Sequence, residues 1–369
     1  VESLSNGEKA GSVTPAGPFL DVDHDDRPLC SVVIPTYNGR ALLETCLASI
    51  YRHLPCDPAL PCEVVVVDNG SIDGTHDWLA RAYPQVRVVR LDPNRGFCVA
   101  ANTGIAAARG RFIQVLNDDT EVTSGWIEAG LEPFRDPTVG AVTPLVLVRS
   151  TPNRVDSAGD SYSLAGWPTK RGHGQPVERW SARPVEEVFG ASGSSSFYRA
   201  EALQRVGGGF DPSLVSYYED VDLGFRLRWA GYRVLFTPHC RILHEISATY
   251  DHRRPGLQRR IARNAELVFW SNLPAGKLAT ALVPHLGLLV AQGGWRMLRL
   301  RFLPFFLGKI DAVREIRHLQ ERRKVRAGLA RQAVNRPHFP MSLGSLEDVV
   351  NHLRRPPETT SLRPQESRS

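Results

Sequence analysis

The segment SYYEDVDLGFRLRWAG, residues 216 to 231, sets Glu219 and Asp220 side by side at the start of a short amphipathic helix. Other oxygen-bearing residues follow apolar runs: Asp68 closes VVVVD, Asn117, Asp118 and Asp119 follow FIQVL, and His244 closes CRILH. Acids and amides at strand ends suit a divalent cation, a diphosphate and a base that removes a proton from a hydroxyl. Asp68 could accept the imide N–H of a uracil or thymine ring, or close an Asx turn ahead of Asn69–Gly70. The run Asn117–Asp119 offers Mg²⁺ or Mn²⁺ one or two carboxylates while leaving positions open to phosphate; the alternative is a turn closed by the Asn117 side chain. His244 could add one nitrogen donor, although a lone histidine at a strand end is more often structural. Ser216 and Glu219 have the spacing of a capping box, which uses one acid only. Asp222 stands four residues before Arg226 and pairs with it along the helix face. Asp220 is thereby left free to act as a general base.

The elements that must position these groups alternate. SVVIP, EVVVVD, VRVVRL and RFIQVL read as buried strands; ALLETCLASIYRHL, THDWLARAY and VAANTGIAAARG read as helices between them. Apolar runs without alternation, joined by helices, predict an α/β fold with a mostly parallel central sheet covered on both faces. Ligands bind such sheets outside the carboxyl ends of the strands, where Pro35–Asn38, Asp68–Gly70 and Asn117–Thr120 all fall. Residues 150–190 lose periodicity and are expected to form a long, partly ordered excursion over one rim that contacts substrate. A further strand and helix (SGSSSFYRAEALQRVG), the acidic helix, and two strands (YRVLFTP and CRILHE) follow. Expected boundaries are a mobile arm over 1–28, a catalytic domain over 29–252, a basic helical module over 253–336 and a loose tail over 337–369.

Composition narrows the classes. The chain has 369 residues and a formal net charge of +6. Residues 252–336 carry 18 Lys and Arg against 4 Asp and Glu, while the rest carries 27 against 35. A basic helical segment on an acidic body predicts an anionic partner surface. Its Leu, Phe and Trp residues among arginines favour an amphipathic segment lying in a lipid headgroup layer, with Trp295, Phe302, Phe305 and Phe306 dipping below. A dimerisation arm is the competing reading; nucleic acid is not expected, because the aromatics lie among aliphatics. Leu278–Gln292 is short for a span and Pro284–His285 is expected to break it. The six cysteines show no metal-ligand spacing and read as reduced thiols, although Cys56 and Cys62 could pair. No secretion-signal pattern occurs at the N-terminus, so the expected location is cytoplasmic, peripheral at the inner face of the membrane. The absence of Gly-x-Gly-x-x-Gly after the first strand and of a Walker loop argues against dinucleotide dehydrogenases and phosphate-loop NTPases.

With these residues assembled, the chain resembles the family 2 inverting glycosyltransferases of GT-A fold, especially rhamnosyltransferase-like members, over about Cys30 to Thr249. SVVIPTYNG is similar to the opening strand and nucleotide loop, which implies donor contacts at Pro35, Thr36, Tyr37 and Asn38. VVVVDNGSIDGT resembles the pyrimidine site with Asp68. NRGFCVAANTGI resembles the segment lining the donor pocket, implying Arg95 at phosphate and Asn102 nearby. VLNDDT stands where the family has its DxD motif. Since Asn117 replaces the first acid, the resemblance places Asp119 on Mn²⁺ or Mg²⁺ and Asn117 and Asp118 toward ribose or diphosphate. The acidic helix implies Asp220 as base, supported by Glu219, Asp222 and Arg226, and CRILHE carries the histidine some members use on the metal. The implied reaction passes a sugar, possibly from dTDP-rhamnose, to a glycan or lipid-linked acceptor in one inverting displacement. A sugar-nucleotide pyrophosphorylase would want a Gly-rich, Arg/Lys-bearing loop directly after the first strand, which PTYNGR matches poorly. A non-catalytic, membrane-associated nucleotide-sugar-binding scaffold would tolerate Asp220→Asn.

Overall fold

A computed structural model describes residues 27–57, 60–245 and 254–342. The four apolar runs become β1 (Cys30–Thr36), β2 (Cys62–Asp68), β3 (Arg87–Arg90) and β4 (Phe112–Leu116), parallel neighbours in the order β3-β2-β1-β4. β1 and β4 are buried along their whole length, which is why their sequences do not alternate. Helices α1 (Arg40–His53), α2 (Thr75–Ala82) and α3 (Phe97–Ala107) make the connections. Leu43, Leu47 and Ile50 of α1 pack with Val32, Ile34 and Val66 on one face. Cys98, Ala101 and Ile105 of α3 pack with Val33 and Val65 on the other. The small residues of α3 permit close approach: a Cβ at Gly104 would overlap Val33.

The chain continues through β5 (Thr120–Val122), α4 (Trp126–Leu131), β6 (Val139–Val148), β7 (Thr151–Ser157), β8 (Asp160–Ser163), β9 (Pro168–Lys170), α5 (Glu178–Ser181), β10 (Glu186–Glu187), β11 (Ser195–Arg199), α6 (Ala200–Arg205), α7 (Glu219–Trp229) and β12 (Arg233–His244). The large sheet extends as β4-β11-β6-β12-β10. β11 runs antiparallel to both its neighbours while β12 runs parallel to β6, so the sheet is mixed though mostly parallel. YRVLFTP and CRILHE form one long strand instead of two. Its register against β6 shifts between Thr237 and Arg241, where Pro238 cannot donate to a ladder. β6, which the strand–helix alternation does not name, lies beside β11 at the sheet centre.

Residues 150–190 are built, not loose. β7 pairs with β6, and β8 pairs with β9 in a second, three-stranded sheet. Tyr162, Trp180 and Phe189 are buried there, between small residues that leave no hydrophobic period to read.

The C-terminal segment supplies α8 (Pro255–Asn272), α9 (Ala275–Leu298), α10 (Phe302–Arg314), α11 (Ile316–Arg331) and the short β13 (Met341–Ser342). α9 runs unbroken through Pro284 for 24 residues, long and apolar enough by composition to cross a membrane. It is nevertheless tied to the body: His285 is buried, stacks on Phe269, and has Nε2 3.1 Å from Glu266 Oε2 and Nδ1 2.8 Å from the Ala165 carbonyl. Part of the basic charge is paired internally, Arg326 with Asp222 (2.8 Å) and Arg322 with Asp211 (2.9 Å) on the body, and Lys309 with Glu266 (2.7 Å), Arg263 with Glu315 and Arg259 with Asp311 within the segment. The start of the expected loose tail is docked, since β13 pairs with β8 and Arg228 donates to the His338 carbonyl at 3.0 Å. Residues 1–26, 246–253, which hold the expected domain boundary, and 343–369 lie outside the described residues. The six cysteines are free thiols, so Cys56 and Cys62 do not pair.

Candidate active site

Asp68 ends β2 with its side chain fully buried. Its Oδ1 accepts the Ser71 N–H at 2.9 Å, so the Asx turn is present. Oδ2 has no hydrogen-bond partner; Arg90 Nε at 4.0 Å and His76 Nδ1 at 3.9 Å stand off it. One oxygen closes the turn and the other accepts no hydrogen bond. Asn38, with φ of 49°, clamps the two loops together: its N–H donates to Ser71 Oγ and its Oδ1 accepts from Ile72 N–H. Tyr37 is exposed beside it, and Pro35 and Thr36 are buried at the end of β1.

At the end of β4 the turn is closed by the Thr120 side chain, not by that of Asn117: Thr120 Oγ1 donates to the Asn117 carbonyl at 2.7 Å. Asn117 Oδ1 is buried without a partner. Asp118 Oδ2 accepts from Thr36 Oγ1 at 2.6 Å, joining the loops after β1 and β4. Asp119 is carried toward β12 by β5, which pairs His244 with Thr120, and Glu245 N–H donates to the Asp119 carbonyl at 2.9 Å. His244 Nε2 therefore lies 3.3 Å from Asp119 Oδ1, an oxygen that makes no hydrogen bond.

The other nitrogen of His244 meets a residue that sequence reasoning missed. Asp156, at the buried end of β7, has Oδ2 2.9 Å from His244 Nδ1, and Lys170 Nζ donates to both its oxygens at 3.0 and 3.3 Å. Burial works against its charge, yet Lys170, His173 and His244 hold Asp156 well below the usual carboxylate range. Burial likewise opposes charge on His244, but Asp119 and Asp156 outweigh it and push the imidazole up to about 9.

Ser216 does not cap the acidic helix. The N-cap is Tyr218, in the left-handed region with no side-chain cap bond, and Ser216 Oγ accepts from Arg260 instead. Val215, Tyr217 and Tyr218 all have positive φ (64°, 67° and 71°), costly for side chains of these shapes. Asn264 of α8 holds this loop, its Nδ2 donating to the carbonyls of Leu214, Ser216 and Tyr217 at 2.9, 3.1 and 2.9 Å. The strained loop lets α7 begin with its acids facing inward. Burial, then the charge of Asp220, pushes Glu219 up to about 8. Burial raises Asp220 as well, opposed by the N–H groups of Val221 and Gly193. Asp160 of β8 is pushed well up by burial and by Asp220. Asp220 Oδ1 accepts the Val221 N–H at 2.8 Å. Asp222 is a structural anchor: Arg226 (2.7 Å), Arg326 (2.8 Å) and Asn272 (2.9 Å) surround it and, despite burial, hold it far below the ordinary range.

Short contacts link several of these groups in two strings. Gly193 touches Asp220, the Ser194 carbonyl accepts the Asn117 N–H at 2.9 Å, and Asp119 reaches Asp156 through His244. Two expected donor contacts fare differently. Arg95 is an exposed side chain in the loop before α3, its N–H held by Asn69 Oδ1 at 2.9 Å. Asn102 does not face the site: its Nδ2 donates to the Phe210 carbonyl at 2.7 Å and its Oδ1 accepts the Phe210 N–H at 2.8 Å, pinning the loop that follows α6. Asp156 and Asp160, in VDSAGDS, sit in short strands of small residues that no periodicity marks. Gly193 betrays itself only through the space it leaves.

Residues 31–207 match the family model described as Glycosyl transferase family 2. The N-acetylglucosaminyl-diphospho-decaprenol L-rhamnosyltransferase of Mycobacterium tuberculosis is 32% identical over 239 residues, covering 58% of this chain and 75% of that protein. The pre-mycofactocin glycosyltransferase of the same organism is 32% identical over 256 residues, 68% of this chain and 47% of its own. In fold, the chain resembles GalNAc-T7 solved with UDP, GalNAc and Mn²⁺ (TM-score 0.51, 19% identity, 66% of this chain and 48% of that one). It also resembles residues 1–349 of S. aureus TarS (TM-score 0.50, 17% identity, 82% and 89% covered). A GT-A-type mixed sheet, acids at its strand ends and a relative matched over three quarters of its length lead to one assignment: the chain is a glycosyltransferase and belongs to glycosyl transferase family 2.

Proposed function

We propose that this glycosyltransferase moves a sugar from a pyrimidine nucleoside-diphosphate sugar, UDP or dTDP in type, to a hydroxyl of a glycan or lipid-linked acceptor. The configuration at the anomeric carbon is inverted. The observation that carries the reading is the set of buried oxygens without a hydrogen bond at the loop ends, Asp68 Oδ2, Asn117 Oδ1, Asp119 Oδ1 and Glu219 Oε2, of which Asp68 and Asp119 have only charged neighbours, at 3.9–4.0 Å and 3.3 Å. Burying such oxygens unpaired is costly, and a nucleotide sugar with its cation would satisfy them. Asp68 Oδ2 accepts a ring imide N–H, and Asn117 and Asp118 face ribose or diphosphate. Among the described residues no group of three or more His, Cys, Asp or Glu could hold a metal alone. That suits Mn²⁺ or Mg²⁺ sharing its coordination with phosphate oxygens, with Asp119 and His244 as the protein donors. When bound, the cation supplies charge neutralisation for the departing diphosphate.

Asp220 accepts the acceptor's hydroxyl proton while that oxygen bonds to the anomeric carbon. The bond to diphosphate breaks, its electron pair leaving with the diphosphate near Arg95. The rhamnosyltransferase relative supports rhamnose as the donor sugar and a lipid-linked diphosphate as the acceptor. Placement at the inner face of the cell membrane fits the C-terminal helices. α9, the turn after it and the start of α10 expose Val283, Val290, Leu298, Leu300, Leu303 and Phe306, with Arg299 lying over Trp295 beside them. Phe305, expected to dip into lipid, is buried instead under Arg296 and Lys309. Asp220→Asn tests the chemistry: transfer should fall at least about 100-fold while nucleoside-diphosphate affinity stays within a few fold. Unchanged transfer removes Asp220 from the mechanism.

A further inference from the structure

We propose that Asp156, gripped by Lys170, is a positioning residue that holds His244 in its Nδ1–H tautomer and so turns Nε2 toward Asp119 as a cation ligand. The inference rests on the metal reading given above. An ionised carboxylate can only accept hydrogen bonds, so the 2.9 Å contact between Asp156 Oδ2 and His244 Nδ1 requires the proton on Nδ1. Nε2, on the opposite side of the ring, is the nitrogen aimed at Asp119. Asp156 is fully buried and has little freedom to turn: Lys170 Nζ lies 3.0 and 3.3 Å from its two oxygens, and His173 Nδ1 lies 2.9 Å from its carbonyl and 3.3 Å from Oδ1. Three strands thus converge on one imidazole, β7 with Asp156, β9 with Lys170 and β12 with His244 itself. Groups that orient a metal-bound histidine through its second nitrogen typically affect metal affinity by about 10- to 100-fold.

The Lys170 contact makes the idea testable by an order of affinities. In Asp156→Asn the amide offers one acceptor, and the Lys170 ammonium, which can only donate, takes it. The amide NH₂ then faces Nδ1, which must accept, leaving the imidazole proton on Nε2 where it blocks ligation. In the double variant Asp156→Asn/Lys170→Met the carbonyl is released to accept from Nδ1–H again. Mn²⁺ titration of the full chain with UDP, read by the EPR signal of free Mn²⁺, should therefore show about 10- to 100-fold weaker binding in the single variant. The double variant should recover at least fivefold of that loss. In the protein loaded with Mg²⁺ and UDP, where a cation on Nε2 would displace its proton, imidazole ¹⁵N shifts should report a proton on Nε2 in the single variant only. A role confined to stability predicts the reverse order, because the double variant loses one more buried contact. Single-variant affinity within threefold of wild type, or a double variant weaker than the single, overturns the proposal. Asp119→Asn separates the two readings. If it weakens Mn²⁺ and Asp156→Asn does not, only this inference fails; if neither variant nor His244→Ala weakens Mn²⁺, the metal reading fails and takes this one with it.

Discussion

Gly193 serves Asp220 twice, with a main-chain N–H and with the room its missing side chain leaves. A Cβ built there would lie 2.9 Å from Asp220 Oδ2, against at least 3.4 Å for ordinary contact, whereas Asp220 Cγ at 3.4 Å and Cβ at 3.6 Å are unaffected. In Gly193→Ala the oxygen must therefore move by about 0.5 Å, most simply by rotation about the Cβ–Cγ bond, and this turns it from the Gly193 N–H. An off-rotamer side chain costs about 0.5–1.5 kcal/mol and a lost hydrogen bond to a charged group about 1.5–3 kcal/mol. At about 1.4 kcal/mol per decade, a loss of roughly 2–4.5 kcal/mol lowers kcat/KM by about 30- to 1,500-fold. The sign of the pH effect follows. Burial already raises Asp220, and the Gly193 N–H is one of the groups that lowers it. Without that donor the carboxyl rises further, so the acid limb of the kcat/KM profile moves to higher pH. The assay is release of nucleoside diphosphate across pH, with calorimetric affinity for the same nucleotide as the control, expected within threefold of wild type. Activity within twofold of wild type and an unmoved acid limb would refute the reasoning that Asp220, held by Gly193, is the base.

Asp68→Asn keeps its one oxygen for Ser71 and turns an NH₂ donor toward the ring N–H, so affinity for UDP and dTDP should fall at least about 10-fold; in a calorimetric panel with GDP and ADP, preference for a purine nucleotide contradicts this role. Arg326→Met leaves Asp222 with one fewer cation in a buried site and should cost about 3–5 kcal/mol, read as a lower Tm by calorimetry at pH 7. Asp222 is depressed in the fold, so its stabilisation is present above the ordinary carboxylate pKa and is lost as pH falls below it toward the folded value; the Tm difference between wild type and Arg326→Met should accordingly shrink below about pH 4. Vesicles containing anionic phosphatidylglycerol should sediment the protein, and Leu298→Glu/Leu303→Glu should abolish this. If the double variant instead dissociates a dimer in sedimentation velocity, the exposed ridge belongs to a second copy.

How much of this was legible beforehand differs by residue. Buried parallel strands announce themselves as unbroken Val and Ile runs, so β1 to β4 and the loops beginning at Asn38, Asp68 and Asn117 follow from the sequence. The pairing of Asp222 with Arg226 is equally local, one helical turn apart. Asp156, Asp160 and Gly193 were not readable, because they lie in short strands and turns of small residues where packing replaces periodicity. The capping box failed because Asn264, from a helix 48 residues further on, holds Ser216 in a loop of positive φ. The basic C-terminal helices looked like an appendage because charge counts say nothing of partners; Arg326 and Arg322 are spent on Asp222 and Asp211.

The order of residues along the chain determined which acids stand at strand ends, since strand identity depends on neighbours only a few positions away. The folded molecule decided which of those acids keeps its charge and what each one faces. Burial and charge pairing depend on groups up to about a hundred residues away, as Arg326 and Asp222 illustrate, and no local pattern encodes them.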